Sequence, residues 1–186
     1  MAKALDDRDG RPGAARRSGA RRLARLAPLV LGALAILGLC LPAMAGSASF
    51  VWNVTASAPK GLYHIDRTPW RVGDRVAVLP AEALAADLAT RGILPKGKLL
   101  IKRVVAANGD VICREGETIR INGRLAGEAK RMDSHGASLP SWQGCITLDE
   151  GQVLLLGDTA GSYDGRYFGV TQGDQIVGPV DLLVAF

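Results

Sequence analysis

From about residue 60 to the C-terminus, short apolar runs alternate with clusters of turn-forming residues, which is the signature of strands rather than helices. The pattern predicts strands over 61–65, 75–79, 99–105, 111–113, 118–121, 152–156 and 175–186. Asn122-Gly123 directly follows the fifth of these, and both residue types accept the positive φ that a two-residue hairpin turn requires. Helical periodicity is confined to 81–91, with Gly92 as a stop signal. Residues 130–144, rich in Gly, Ser and Pro, read as a surface loop, part of an insertion spanning about 128–145. No internal repeat interrupts this order, so the portion after Gly46 reads as one mainly β domain over 46–186.

A different pattern precedes it. Residues 26–45 (LAPLVLGALAILGLCLPAMA) carry no charge, enough to cross a bilayer as a single helix. Ala43-Met44-Ala45 also has the small-x-small form of a secretory cleavage site, so the stretch reads equally as a transmembrane segment or a removable signal peptide. Residues 1–25 hold eight Lys or Arg against three Asp, which is +5 and equals the whole formal net charge of +5. The rest of the chain is neutral. A basic run that stops at an apolar stretch marks the cytoplasmic side of a membrane and not a nucleic-acid surface. Everything after residue 46 is therefore expected in the periplasm or outside the cell, with the chain at the inner membrane if the segment is kept.

Composition narrows the chemistry. A hydrophobic fraction of 48% excludes a disordered chain. Cys40 lies in the apolar stretch, leaving Cys113 and Cys145 as the pair in the exported part, where an oxidising compartment favours a disulfide. His64 and His135 are the only histidines and no CxxC spacing occurs, so no metal site and no cofactor are expected.

Two segments carry catalytic potential. Ser57 sits in a turn (Thr55-Ala56-Ser57-Ala58-Pro59-Lys60-Gly61), and Lys102 sits in an apolar strand (Leu100-Ile101-Lys102-Arg103-Val104). A serine hydroxyl needs a base, and a lysine amine serves only if burial holds it neutral. Strand alternation sends Lys102 and Arg103 to opposite faces, both apolar, so periodicity alone leaves open which cation points inward. Chemistry does not, because arginine keeps its proton. A third segment, Gly157-Asp158-Thr159-Ala160-Gly161-Ser162-Tyr163-Asp164-Gly165-Arg166, reads by itself as a solvated loop with a surface ion pair between Asp164 and Arg166.

In this order the three segments resemble the boxes of the signal peptidase family of serine–lysine proteases, and within it the conjugative-transfer branch. The likeness runs from about Asn53 to the C-terminus. It departs from the usual leader peptidase, since Ala58-Pro59-Lys60-Gly61 follows the serine and Gly157-Asp158 is followed by Thr159-Ala160-Gly161-Ser162. The resemblance implies a signal-peptidase-like coiled β-sheet or barrel core. It implies Ser57 as nucleophile, Lys102 as general base, and Thr55 with the Ser57 N–H as oxyanion hole. Ser162 would orient the lysine, with Asp158, Asp164 and Arg166 in support. The implied substrate is an exported precursor such as a pilin precursor, taken at the membrane and cut after small residues, with cyclisation by transpeptidation as a variant. A general signal peptidase and a non-enzymatic β scaffold of a secretion apparatus are the other readings, and no nucleic acid is expected as partner.

Overall fold

The computed structural model describes residues 49–186; the basic stretch 1–25, the apolar stretch 26–45 and Cys40 lie outside them. The described chain runs β1 (Phe50–Asn53), β2 (Gly61–Ile65), β3 (Arg75–Val78), α1 (Glu82–Thr90), β4 (Leu100–Ala106), β5 (Val111–Glu115), β6 (Thr118–Ile121), β7 (Arg124–Glu128), β8 (Gly144–Thr147), β9 (Gln152–Leu156), a one-turn helix α2 (Gly165–Phe168), β10 (Val170–Gln172), a 3-10 turn (Gly173–Gln175) and β11 (Ile176–Ala185). The protein is mainly β.

Its strands pair antiparallel in two sheets, β1-β2-β11-β3-β4-β9-β10 and β7-β6-β5-β8. The larger sheet is open, with β1 and β10 at its edges. Pairing of Lys102 with Val76 and of Val104 with Leu155 sets the register of β4 between β3 and β9. This register turns Leu100 and Val104 toward a core of Val76, Val78, Leu88, Val153 and Leu155. Ile101 faces the opposite core, with Ala58, Tyr63, Ile65 and Val180. Burial on both faces is what the apolar residues on either side of Lys102 and Arg103 predict. Helix α1 contributes Leu88 to the first core and stops at Gly92, whose φ of 67° lets the chain turn back as Ile93 N–H bonds to Leu88 O.

The small sheet forms as its turn chemistry requires. Asn122 and Gly123 both have positive φ (50° and 78°) and join β6 to β7 with Ile121 opposite Arg124. Cys113 on β5 stands directly opposite Cys145 on β8, and the two are joined in a disulfide. Cys145 thus belongs to a strand of the sheet. With Glu128 in β7 and Gly144 in β8, the loop itself spans 129–143 and holds a bridge between Met132 and Ser138.

Candidate active site

The β1–β2 hairpin carries Ser57 in its connecting turn, and buried Asn53 organises that turn from the end of β1. The Asn53 Nδ2 donates to the carbonyls of Thr55 (3.0 Å), Ala58 (3.1 Å) and Pro59 (3.0 Å). Its Oδ1 accepts from Thr55 N–H (3.2 Å) and from Thr55 Oγ1 (2.9 Å). Thr55 Oγ1 in turn lies 3.0 Å from Ser57 Oγ. From below, Tyr63 donates its hydroxyl to Pro59 O at 2.7 Å. A short turn with the carbonyls of Thr55, Ala58 and Pro59 tied down holds Ser57 in place, half-buried.

Lys102 points inward and Arg103 outward. Lys102 is 2% exposed, between Leu100 and Val104 on its face of β4. Burial pushes its amine down from the ordinary 10.5 to about 8, the Asp164 carboxylate opposing this and the Arg166 guanidinium assisting it. Its Nζ donates to Ser162 Oγ at 2.6 Å. Arg103 bonds instead to Gly73 O (2.6 Å) and reaches Asp158 at 3.4 Å on the exposed side.

Ser162 is delivered by the turn that follows β9. Asp164 and Arg166, 2.8 Å apart, are both buried, so the expectation of a surface ion pair is corrected. A buried pair persists only if its remaining polar atoms are satisfied, and these are. Asp164 accepts from Gly157 N–H and Arg166 N–H, while Arg166 donates to the carbonyls of Gly157, Thr159 and Ala160. The pair staples the turn to its own ends. Asp158 N–H donates to Ser57 O at 2.8 Å, and its carboxylate takes Arg75 at 2.7 Å, so this turn is also fastened to the nucleophile turn and to β3.

The turns and β4 meet at one cavity of about 570 Å³. Ser57, Thr55, Lys102 and Ser162 line it together, and its far walls are residues 91–94 after α1 and the loop from Lys130 to Leu139. That loop was expected only as surface structure. Its Gly- and Ser-rich composition signals a loop but not what the loop faces. Sequence reasoning also assigned no role to Asn53, nor to the tie between Tyr163 Oη and Asp87 Oδ2 (2.5 Å) that holds the residue after Ser162 to α1. Among the described residues no cluster of three or more His, Cys, Asp or Glu is arranged to hold a metal ion. A hydroxyl and a desolvated amine facing one cavity suit acyl transfer.

Comparison with known proteins gives consistent matches. The family described as signal peptidase, peptidase S26, matches over residues 23–185. A plasmid transfer protein TraF of Escherichia coli is 34% identical over 136 residues, covering 67% of this chain and 77% of the relative. A second Escherichia coli protein of that name is 33% identical over 168 residues, covering 84% and 93%. A conjugal transfer protein TraF of Agrobacterium fabrum is 30% identical, covering 84% and 90%. Among solved structures, a signal peptidase I from Enterococcus faecalis superposes with a TM-score of 0.37 at 22% identity, covering 61% of this chain and 98% of that one.

Proposed function

Because the chain belongs to the signal peptidase family, peptidase S26, we propose that it is a membrane-associated serine endopeptidase with Ser57 as nucleophile and Lys102 as general base. The observation that carries this reading is the buried Lys102 amine, lowered to about 8 and bonded to Ser162 on the cavity that Ser57 also lines. In the reaction, Ser57 Oγ bonds to the substrate carbonyl carbon while its proton passes to Lys102 Nζ. Negative charge develops on the carbonyl oxygen, where the Ser57 N–H and the Thr55 hydroxyl are the donors. The resulting ammonium gives its proton to the departing amine, leaving an ester on Ser57. Water, or an amine of the same substrate, then resolves the ester. Ser162 orients the lysine amine throughout, as a third group orients the base in other triads.

Relatives named as plasmid and conjugal transfer proteins support a substrate from a conjugative apparatus, and we propose an exported pilin precursor as that substrate. Co-expression with such precursors followed by intact-mass analysis tests the reading. Hydrolysis gives the mature segment with both termini free, whereas cyclisation gives a mass lower by one further water. An unshifted precursor mass, the same with wild type as with Ser57→Ala, overturns it.

A further inference from the structure

We propose that Asn53 is a positioning residue that controls the hydroxyl hydrogens of both Thr55 and Ser57. The inference rests on the Ser57–Lys102 reading and comes from counting hydrogens. Three carbonyl oxygens face one end of the Asn53 amide, and carbonyls only accept, so that end is the NH₂ group and the other end is an acceptor alone. Thr55 Oγ1, 2.9 Å from this acceptor, must therefore be the donor. A hydroxyl has a single hydrogen. In the 3.0 Å contact between Thr55 and Ser57, Thr55 can then only accept, and Ser57 is the donor. The alternative acceptor for Ser57, Ile101 O, is farther away at 3.5 Å. The hydroxyls thus form a directed chain from Ser57 to Thr55 to Asn53.

Two consequences follow for the resting enzyme. The Ser57 hydrogen is turned toward Thr55, and the Thr55 hydrogen is committed to Asn53 and withheld from an incoming carbonyl. When negative charge develops on the substrate oxygen, that oxygen becomes a stronger acceptor than the neutral amide of Asn53, and the Thr55 hydrogen rotates to it. At the same time the Ser57 proton passes to Lys102 as the bond from Oγ to carbon forms. Thr55 therefore donates to the substrate only as the transition state is approached, which raises turnover rather than ground-state binding. Asn53 thus acts on Ser57 through Thr55.

The test is a cycle of Asn53→Ala, Thr55→Val and the double variant in the full chain in detergent, measured with an internally quenched peptide carrying Ala-x-Ala before the cut. Each single variant should lower kcat about a hundredfold, with KM changed by less than about threefold. The double variant should be no worse than Thr55→Val alone within about threefold, while Thr55→Ser, which keeps the hydroxyl, recovers most of what Thr55→Val loses. Losses that multiply in the double variant, or that fall on KM, overturn the role of Asn53. Thermal unfolding of the same proteins needs no substrate. Coupling predicts that the double variant melts within ~2 °C of Asn53→Ala, and additive drops in Tm contradict it. If Asn53→Ala does not fold, Asn53→Ser, whose hydroxyl can still donate to a turn carbonyl, carries the same expectation for kcat. Ser57→Ala and Lys102→Met serve as controls. Activity in either refutes the Ser57–Lys102 reading itself, whereas two inactive controls beside a multiplicative cycle refute Asn53 alone.

Discussion

A lysine amine acts as a base only in the fraction that has lost its proton. At pH 7 an amine at 10.5 is neutral in about one molecule in three thousand, and one at about 8 in roughly a tenth. Burial of Lys102 thus raises the working fraction by more than two orders of magnitude. It predicts that kcat/KM climbs with pH through a midpoint near 8, and a midpoint above 10 would show that the active amine is solvated. Lys102→Arg should lower processing at every pH by about 10³-fold or more, because a guanidinium does not give up its proton. The same shift carries a stability cost whose sign is fixed. The folded amine deprotonates near 8 and the unfolded one near 10.5, so wild type is penalised in full below pH 8 and the penalty disappears as pH rises through 10.5. Lys102→Met should therefore be inactive yet melt no lower than wild type at pH 7, with its advantage shrinking in alkali. That Lys102 and not Arg103 turns inward was legible in the sequence, because strand alternation separates the two and a buried arginine would keep its proton. Asn53 was not legible, since its role depends on three carbonyls that return to its amide only once the turn has closed.

Elements with strong periodicity were legible too, in particular β4, β6, β9 and α1. The missed ones each lack a sequence signal for a physical reason. Strand β1 (FVWN) is short and follows closely on the apolar stretch that ends at residue 45. Strand β7 (RLAGE) mixes charge and glycine, and β8 (GCIT) is exposed throughout, at the end of a loop-like stretch. Strand β10 has three residues, and α2 is a single turn whose N-cap is Asp164, accepting from Arg166 N–H. The turn between β9 and α2 shows what spacing conceals. A Cβ on Gly157 would stand 2.0 Å from Ser162 Oγ and 2.5 Å from its Cβ. Gly157→Ala should thus push Ser162 off the Lys102 amine. We expect a loss of kcat of about 10²-fold or more with KM little changed, and precursor processing at near wild-type rate would count against an orienting role for Ser162.

At the scale of the whole molecule, an apolar patch extends over the edge of the large sheet. Phe50 and Trp52 of β1 are 55% and 60% exposed, as are Val184 (59%) and Phe186 (65%) beside them, and Trp52 stacks on Phe186 at 5.2 Å. Patches of this kind mark interaction surfaces, lipid included. This one follows the charge-free stretch 26–45 in the chain, which supports the proposal of a catalytic domain held against the outer face of the inner membrane. A C-terminal alkaline phosphatase fusion should be active, and a fusion active only as a cytoplasmic reporter would reverse the topology. The charge asymmetry that suggests this was legible in the sequence, but the patch was not, because it is made by strands from opposite ends of the domain. The same large sheet also constrains when the site can exist. Strand β11 lies between β2 and β3 and closes against Gly61 so tightly that a Cβ there would meet Val184 O at 2.1 Å. Within the sheet, the hairpin bearing Ser57 is thus joined to the strands bearing Lys102 through β11, and contacts such as that of Asp158 N–H with Ser57 O add to this link. Until β11 pairs, a gap stands in the middle of this sheet between β2 and β3. Before that pairing, no continuous sheet aligns the two halves of the site.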